Sequence, residues 1–438
     1  MNSSRRDEVR ARNRSAINPT RPKNDTLKAQ GANDDKPGLA TRRTAHRLLG
    51  AIIETNTSFD ALTDEHHGHP HYLSLDGRDR ALLRAILMVA LRYRADIADV
   101  LSSLIEKPLP AGATALQTVL HVALAQILFL DVPDHSAVDL AVESANADPR
   151  LKRFAPLVNA VTRRTVRSKE KILAKISQTP PRSSGWFSNR LIEIYGDEKA
   201  AQIEAAHRLE APLDFTVRNP READEWAQAI GATVLPIGSL RRGASDIDIP
   251  LIPGFEEGAW WVQDAAASIP AKLFNDLTGK RALDLCAAPG GKTAQLAALG
   301  ASVTALDMSA NRLKRLNSNL ERLKLSSCVT TIVASLFDYA PDTLFDAVLL
   351  DAPCSSTGTV RRHPDVPWTK TPDDIKKLAD LQARMLDKAA EFVSIGGQLV
   401  FSNCSLDPSE GEDVALAFKA KNANFELVAM ESSALPRS

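Results

Sequence analysis

The chain has 438 residues, 44% hydrophobic and 25% charged, and its 54 basic residues are balanced by 54 acidic ones. That length predicts two to four domains rather than one compact core, and the composition excludes wholesale disorder, collagen and coiled coil. Zero net charge excludes a globally basic nucleic-acid binder, though not a local basic surface.

Residues 1–38 are polar and rich in Arg, Asn, Asp and Lys. They bury too little apolar area to offset ordering entropy, so a disordered tail is expected. The opening MNSSRRDEVRARNRS has no apolar core of a secretory signal, and a cytoplasmic protein is expected.

From 39 to 175 the pattern is helical. Apolar residues recur at three- and four-residue steps in TAHRLLGAIIE, RALLRAILMVALRY, TALQTVLHVALAQILFL and SAVDLAVESA, which predicts an all-α bundle of five to seven helices. The most apolar stretch, Leu120 to Leu130, carries His121 and Gln126 and falls short of the roughly 18 residues of a membrane span. It reads as a buried helix. Arg150, Lys152, Arg153, Arg163, Arg164 and Arg167 follow within a short span; they form either a solvated helix face or a phosphate-contacting one.

Residues 176–265 are mixed. After the Pro/Ser-rich QTPPRSSGW come two helical runs (NRLIEIYG and EKAAQIEAAHRLE), then DFTVRNP, the helical READEWAQAIG and ATVLPIGSL. The βαβ-like order predicts a small α/β domain. In 266–438 short apolar runs alternate with helical ones, through RALDLCAA, SVTALDM, VTTIVASLF, FDAVLLDAP, a helix from Pro372 to Val393, GGQLVFSNCS and FELVAM. This alternation implies right-handed crossovers and a parallel, doubly wound sheet, whose ligands bind at the strand tips.

The first of those tips is LDLCAAPGGKT. Gly290 and Gly291 after Pro289 allow backbone N–H groups close to a ligand, or simply make a tight turn. The second tip carries Asp307, placed to hold a ribose or to cap the next helix. Asp351 leaves a fully apolar strand with Cys354 close behind it, and Cys404 stands at the tip of the next strand. The remaining thiols, Cys286 and Cys328, read as small hydrophobes. No cysteine belongs to a C-x-x-C pair, so neither a disulfide scaffold nor a metal site is expected.

LDLCAAPGGKT, LLDAPCSSTGTVRRHPDVPW and FSNCSLDPSEGE together resemble the motifs of the S-adenosylmethionine-dependent RNA cytosine-C5 methyltransferases, and GAWWVQDAAASIP resembles the segment preceding their cofactor domain. DRALLRAILMVALRYRADI, VPDHSAVDLAVESA and FAPLVNAVTRR are similar to the NusB-like helical domain of the bacterial Fmu/Sun (RsmB-type) branch. The resemblance covers about residues 40 to 430. It implies a multidomain fold: the NusB-like RNA-binding bundle, the small α/β domain for RNA recognition or linking, and a Rossmann-like class I methyltransferase domain. It also implies S-adenosylmethionine as cofactor and small-subunit ribosomal RNA as partner, with a monomer expected. A transfer RNA substrate, or an inert RNA-binding protein, are the competing readings.

By family position Cys404 is the nucleophile that attacks C6 of the base, and Cys354 assists resolution of the adduct. Asp351 contacts the cytosine edge and lines the cofactor pocket. Cys286, Ala287, Ala288, Pro289, Gly290, Gly291 and Lys292 cradle the methionine part of the cofactor, Asp307 its ribose, and Ser335 stands where an acid usually meets the adenine. Lys292 and Arg361 are candidates for lowering the Cys404 pKa, and Arg361, Arg362 and His363 for holding flanking phosphates. Gln263 and Asp264 match the family without an assigned chemistry. Asn403 replaces the usual Thr. The family's last antiparallel strand has no counterpart after FELVAM, so either the sheet lacks it or the strand comes from elsewhere.

Overall fold

Apolar stripes assemble the first part of the molecule. Helices α1 (Leu39–Thr55), α2 (Phe59–Leu62), α3 (Pro70–Leu73), α4 (Gly77–Arg92), α5 (Arg94–Leu104), α6 (Thr114–Phe129), α7 (Asp134–Ala147), α8 (Ala155–Arg167) and α9 (Lys169–Gln178) follow one another. Apart from the single turns α2 and α3, these described helices match the expected bundle. The computed structural model describes residues 36–428 except 108, 111, 244–247 and 275. The expected tail over 1–35 lies outside the described residues.

The bundle closes on α6, which is buried nearly all round, as the Leu120–Leu130 run predicts. Leu48, Leu49 and Ile52 of α1 and Leu83, Ile86 and Leu87 of α4 are fully buried in the same core, each contributing about 1.5–3 kcal/mol. The polar residues in α6 find partners inside the bundle. Gln126 accepts from Arg42 Nε at 2.9 Å and donates to the Val122 carbonyl, while His121 Nδ1 lies 2.9 Å from the Gln117 carbonyl. Burial holds His121 neutral, its pKa lowered to about 4. Arg163, Arg164 and Arg167 are exposed on α8, whereas Arg150 pairs with Asp148 at 2.8 Å.

Helix α10 (Gly185–Arg208) is two helices joined at Gly196, whose φ of 77° breaks the run between the two expected segments. Then come β1 (Leu213–Val217), α11 (Ala223–Ile230), β2 (Thr233–Val234), β3 (Leu240–Arg242) and β4 (Trp260–Val262). Their order in space is β2-β3-β1-β4 and every pairing is antiparallel. The strand–helix–strand order of the sequence therefore yields no parallel crossover, because β1 is flanked by β3 and β4 rather than by β2. Phe215 and Trp260 fill the core of this small sheet, ring centroids 4.8 Å apart.

After α12 (Ile269–Lys272) the doubly wound part contains β5 (Arg281–Leu285), α13 (Gly291–Ala298), β6 (Ser302–Asp307), α14 (Ala310–Arg322), β7 (Val329–Val333), β8 (Phe345–Asp351), α15 (Val366–Thr369), α16 (Pro372–Ala390), β9 (Val393–Ser402) and α17 (Glu412–Lys421). The sheet order is β7-β6-β5-β8-β9, and each pairing is parallel. Helix α16 starts where a capping box, Thr371 with Asp374, meets Pro372 at its first position. It ends before the expected Val393, which opens β9 instead. Of the expected strand FELVAM, Phe425–Val428 form no strand and the last two residues lie outside the described ones. No described helix is long and apolar enough to cross a membrane.

The described residues from Gly38 onward form one compact unit. The bundle grips the segment after Cys354. Trp368 of α15 packs against the bundle core and donates to the Leu91 carbonyl at 3.2 Å. Asp365 accepts from the Phe59 amide at 3.0 Å.

Candidate active site

The strand order reverses direction between β5 and β8, which opens a crevice at their carboxyl ends. The loop leaving β5 runs from Cys286 to Gly290 and feeds straight into α13. Gly290 has φ 104°, and a Cβ there would sit 2.7 Å from Leu316 Cγ, so only glycine fits. Under this loop Asp284 is fully buried, accepting from Thr293 Oγ1 at 2.6 Å. Burial pushes its pKa up to about 7.

Across the crevice Lys292 Nζ meets Asp351 Oδ2 at 2.6 Å, and Ser402 Oγ donates to Asp351 Oδ1 at 2.9 Å. Asp351 is thus held between the helix start and the tip of β9. Beyond it the two cysteines of the neighbouring tips come together, with Cys354 Sγ 3.3 Å from Cys404 Sγ. The Cys404 amide also donates to Cys354 Sγ at 3.3 Å, and Ser356 Oγ lies 3.5 Å from Cys404 Sγ.

The pair divides its acidity. The Cys354 thiol hydrogen bond favours a thiolate at Cys404, whose pKa is lowered to about 6, with Ser356 and the Lys292 charge acting the same way. Cys354 is pushed well above the ordinary thiol range, first by its bond to Cys404 and then by burial. Two interacting thiols titrate as a unit, so the arrangement is one thiolate solvated by one thiol. Of the two cations considered from sequence, Lys292 is the one whose charge acts on Cys404.

Arg361, Arg362 and His363, expected as phosphate contacts, are engaged within the protein. Arg361 donates to the Glu210 carbonyl at 2.7 Å, Arg362 pairs with Asp264 at 2.8 Å, and His363 Nδ1 meets Asp60 Oδ2 at 3.1 Å. They tie the loop after Cys354 to the small sheet and to the bundle. Asp264 thereby gains a role the sequence did not assign it. Helix α10 braces the other cysteine loop: Arg190 holds Asp407 at 2.7 and 2.9 Å, and Tyr195 donates to the Leu406 carbonyl at 2.7 Å.

A cavity of about 440 Å³ lies between the loop that joins β5 to α13 and the small sheet. It is lined by Ala287, Ala288, Pro289, Gly290, Gly291, Lys292 and Asp351 from the expected cofactor set, together with Trp261, Gln263 and Asp264. Gln263 Nε2 lies 3.3 Å from where a Gly291 Cβ would stand. Three expected residues are off this wall. Cys286 is a partly buried thiol with its pKa pushed up to about 12 by burial. Asp307 accepts from the Ala288 amide at 3.1 Å and the Ser309 amide at 2.9 Å, while Ser309 itself caps α14. Ser335 accepts from the Phe337 amide at 3.2 Å in the turn after β7. Cys328, read as a small hydrophobe, is exposed.

The sequence reading missed Glu410, which has no exposed surface. Its carboxylate accepts from the Ser355 amide at 2.8 Å and from Ser405 Oγ at 2.6 Å, and also from the Ser355 hydroxyl. Asn403, the departure from the usual Thr, donates to the Glu410 carbonyl and accepts from the Ser405 amide at 2.9 Å.

Residues 271–436 match the family model described as 16S rRNA methyltransferase RsmB/F, and residues 39–167 match the NusB family. The chain is 32% identical to the ribosomal RNA small subunit methyltransferase B of Cronobacter sakazakii over 413 residues, 92% of this chain and 95% of that protein. It is 34% identical to the protein of the same name from Pseudomonas putida over 406 residues, 88% of this chain and 89% of the other. Among solved structures, that of PH0851 shares the fold at TM-score 0.63 and 23% identity, covering 91% of this chain and 92% of that one.

Proposed function

The chain belongs to the RsmB/F family of 16S rRNA methyltransferases, and from that premise we propose that it methylates C5 of a cytosine in small-subunit ribosomal RNA through a covalent bond from Cys404 to C6. The observation that carries this reading is the 3.3 Å approach of Cys404 and Cys354 beside the Lys292–Asp351 pair. A ribosomal substrate is supported by the names of the relatives and by the NusB match over 39–167.

The residues present fit S-adenosylmethionine. The cradle at Gly290 and Gly291 admits no Cβ without displacement at the first and only a tight one at the second. The cavity of about 440 Å³ is within the usual size of cofactor pockets. When bound, this cofactor supplies a methyl group on a sulfonium, ready to be taken by a carbon nucleophile. Ala287 to Lys292 hold it, with Asp351 on the wall they share. Asp307, at the tip of β6 and off the cavity wall, would hold the ribose only by sharing its bonds to the Ala288 and Ser309 amides with the ligand.

C5 of cytosine is a weak nucleophile, and the chain's own groups change that. The Cys404 thiolate adds to C6, and the displaced electron pair makes C5 nucleophilic. Asp351, fixed by Lys292 and Ser402, accepts from the amino edge of the ring. Once C5 carries its methyl group, Cys354 takes the C5 proton; the C5–C6 double bond re-forms and Cys404 leaves. Cys354 is a poor base while it donates to the Cys404 thiolate. Formation of the C–S bond removes that thiolate, which is the largest cause of its raised pKa, so Cys354 then gives its own thiol proton to solvent and stands as a thiolate when the C5 proton must be taken. The target base must leave any helical stack to reach this crevice.

Because only the thiolate attacks, methyl transfer rises with pH through about 6, the value to which Cys404 is lowered, and levels off near neutrality. Lys292→Met removes a charge that favours the thiolate, so its acid limb moves to higher pH. A profile in kcat/KM over pH 5 to 9 checks both; a wild-type limb centred near 9 would contradict the thiolate pairing. The reaction itself is tested by transfer of a labelled methyl group from S-adenosylmethionine to unmodified small-subunit ribosomal RNA. Label recovered as 5-methylcytidine is the expected result. Label in another nucleoside, or only in transfer RNA, would overturn the assignment.

A further inference from the structure

The geometry points to Glu410 as the positioning residue that sets the separation of the two cysteines, by binding the residues next to each of them with one buried carboxylate. This rests on the reading of Cys404 as the attacking thiolate. Glu410 lies in the turn Pro408–Glu410 between Cys404 and α17. One of its oxygens accepts from the Ser355 amide at 2.8 Å and from Gln382 Nε2 at 3.3 Å. The other accepts from Ser405 Oγ at 2.6 Å and from the Ser355 hydroxyl. Ser355 follows Cys354, and Ser405 follows Cys404. Gln382 also donates to the Pro353 carbonyl at 2.9 Å, just ahead of Cys354, and Asn403, just ahead of Cys404, donates to the Glu410 carbonyl.

A carboxylate with no exposed surface is costly to keep, and the described residues place no cation against it. Four donors satisfy it instead. Such a group is a poor source of stability compared with an apolar core. It does provide a rigid cross-link between two loops that belong to different strand tips. Gly358 shows how close those loops run: a Cβ there would sit 2.7 Å from the Cys404 carbonyl oxygen.

The groups that face Cys404 are Cys354 and Ser356 on one loop, Asp351 at the tip of β8, Lys292 from α13 and His363 beyond the loop. Glu410 touches none of the reacting atoms. Its effect on Cys404 passes through the placement of Cys354, so its loss raises the Cys404 pKa. A role as a nearby negative charge predicts the opposite, because removing an anion favours the thiolate.

Glu410→Gln separates these. The amide keeps the size, but its NH₂ replaces an acceptor, and the Ser355 and Ser405 hydroxyls must turn. Alkylation of Cys404 by iodoacetamide, followed by peptide mass spectrometry across pH 5 to 9, reads the thiolate without requiring methyl transfer. The expected result is a fall of about 3-fold or more in the alkylation rate at pH 6.5. With it go a roughly 10- to 100-fold loss of kcat and a cofactor Kd within about 2-fold of wild type. An unchanged or faster alkylation with wild-type kcat would overturn the proposal. Ser405→Ala, which removes one arm beside Cys404, gives the same directions at smaller size and serves if Glu410→Gln does not fold; wild-type kcat and alkylation in it would equally overturn the proposal. If the wild-type chain methylates no cytosine yet Glu410→Gln slows alkylation, the functional reading fails and the positioning role stands.

Discussion

Replacing Cys404 with alanine is expected to abolish turnover, lowering kcat by at least about 10⁴-fold, or roughly 5.4 kcal/mol of transition-state stabilisation. Nothing else in the crevice replaces a thiolate at that point. Ser356 is a hydroxyl 3.5 Å from Cys404 Sγ, and a hydroxyl is far less acidic than a thiol. Cys354 sits on the other strand tip, where burial still raises its thiol pKa once the bond to Cys404 is gone. Cofactor affinity should hold within about 2-fold, because the walls from Ala287 to Lys292 do not include Cys404. Single-turnover methyl transfer and equilibrium binding of S-adenosylmethionine check the two halves separately. Turnover within 10-fold of wild type would remove Cys404 from the role of nucleophile.

The second large effect is qualitatively different. Cys354→Ala leaves the nucleophile in place but removes the base that takes the C5 proton, so the protein should accumulate joined to its RNA. A denaturing gel of the variant with cofactor and substrate RNA should show a slow-migrating species, absent for Cys404→Ala and for the double variant. The same substitution deprives Cys404 of its thiol donor, so attack is slower at low pH and the adduct forms best above pH 7. No adduct at any pH, with wild-type cofactor affinity, would argue against proton removal by Cys354.

The sequence made some of this plain because the signals were local. A run of strands and helices in alternation can close in few ways, and Asp351, Cys354 and Cys404 follow apolar strands at positions where the tips must face one crevice. Gly290 was legible for the same reason, since a tight turn into a helix demands a backbone that few residues adopt. The buried helix at Leu120–Leu130 was legible because its polar side chains bond locally: Gln126 bonds its own helix and one neighbour, Arg42, and His121 Nδ1 meets the Gln117 carbonyl of its own helix.

What the sequence concealed depends on partners far along the chain. Arg361, Arg362 and His363 form a basic run that reads as an RNA contact. Their partners Glu210, Asp264 and Asp60 stand on other elements, and pairing with them makes the run an internal tie. Glu410 was visible only as one more acid in a polar turn, and its burial comes from two loops meeting over it. The small sheet misled for a different reason. Its strands run two to five residues, too short for periodicity to fix which strand pairs with which. Phe425–Val428 have the composition of a strand without pairing in one, because composition reports what suits a sheet and not whether an edge is available.

The central claim is the bond between Cys404 and C6, and trapping tests it most directly. Small-subunit RNA carrying 5-fluorocytosine has no C5 proton to release, so the adduct formed after methylation cannot collapse. With S-adenosylmethionine present, digestion and mass spectrometry should find the modified nucleotide on the peptide containing Cys404. Attachment at Cys354 would reverse the roles of the two thiols. No covalent species under conditions where unmodified RNA is methylated would contradict the mechanism itself.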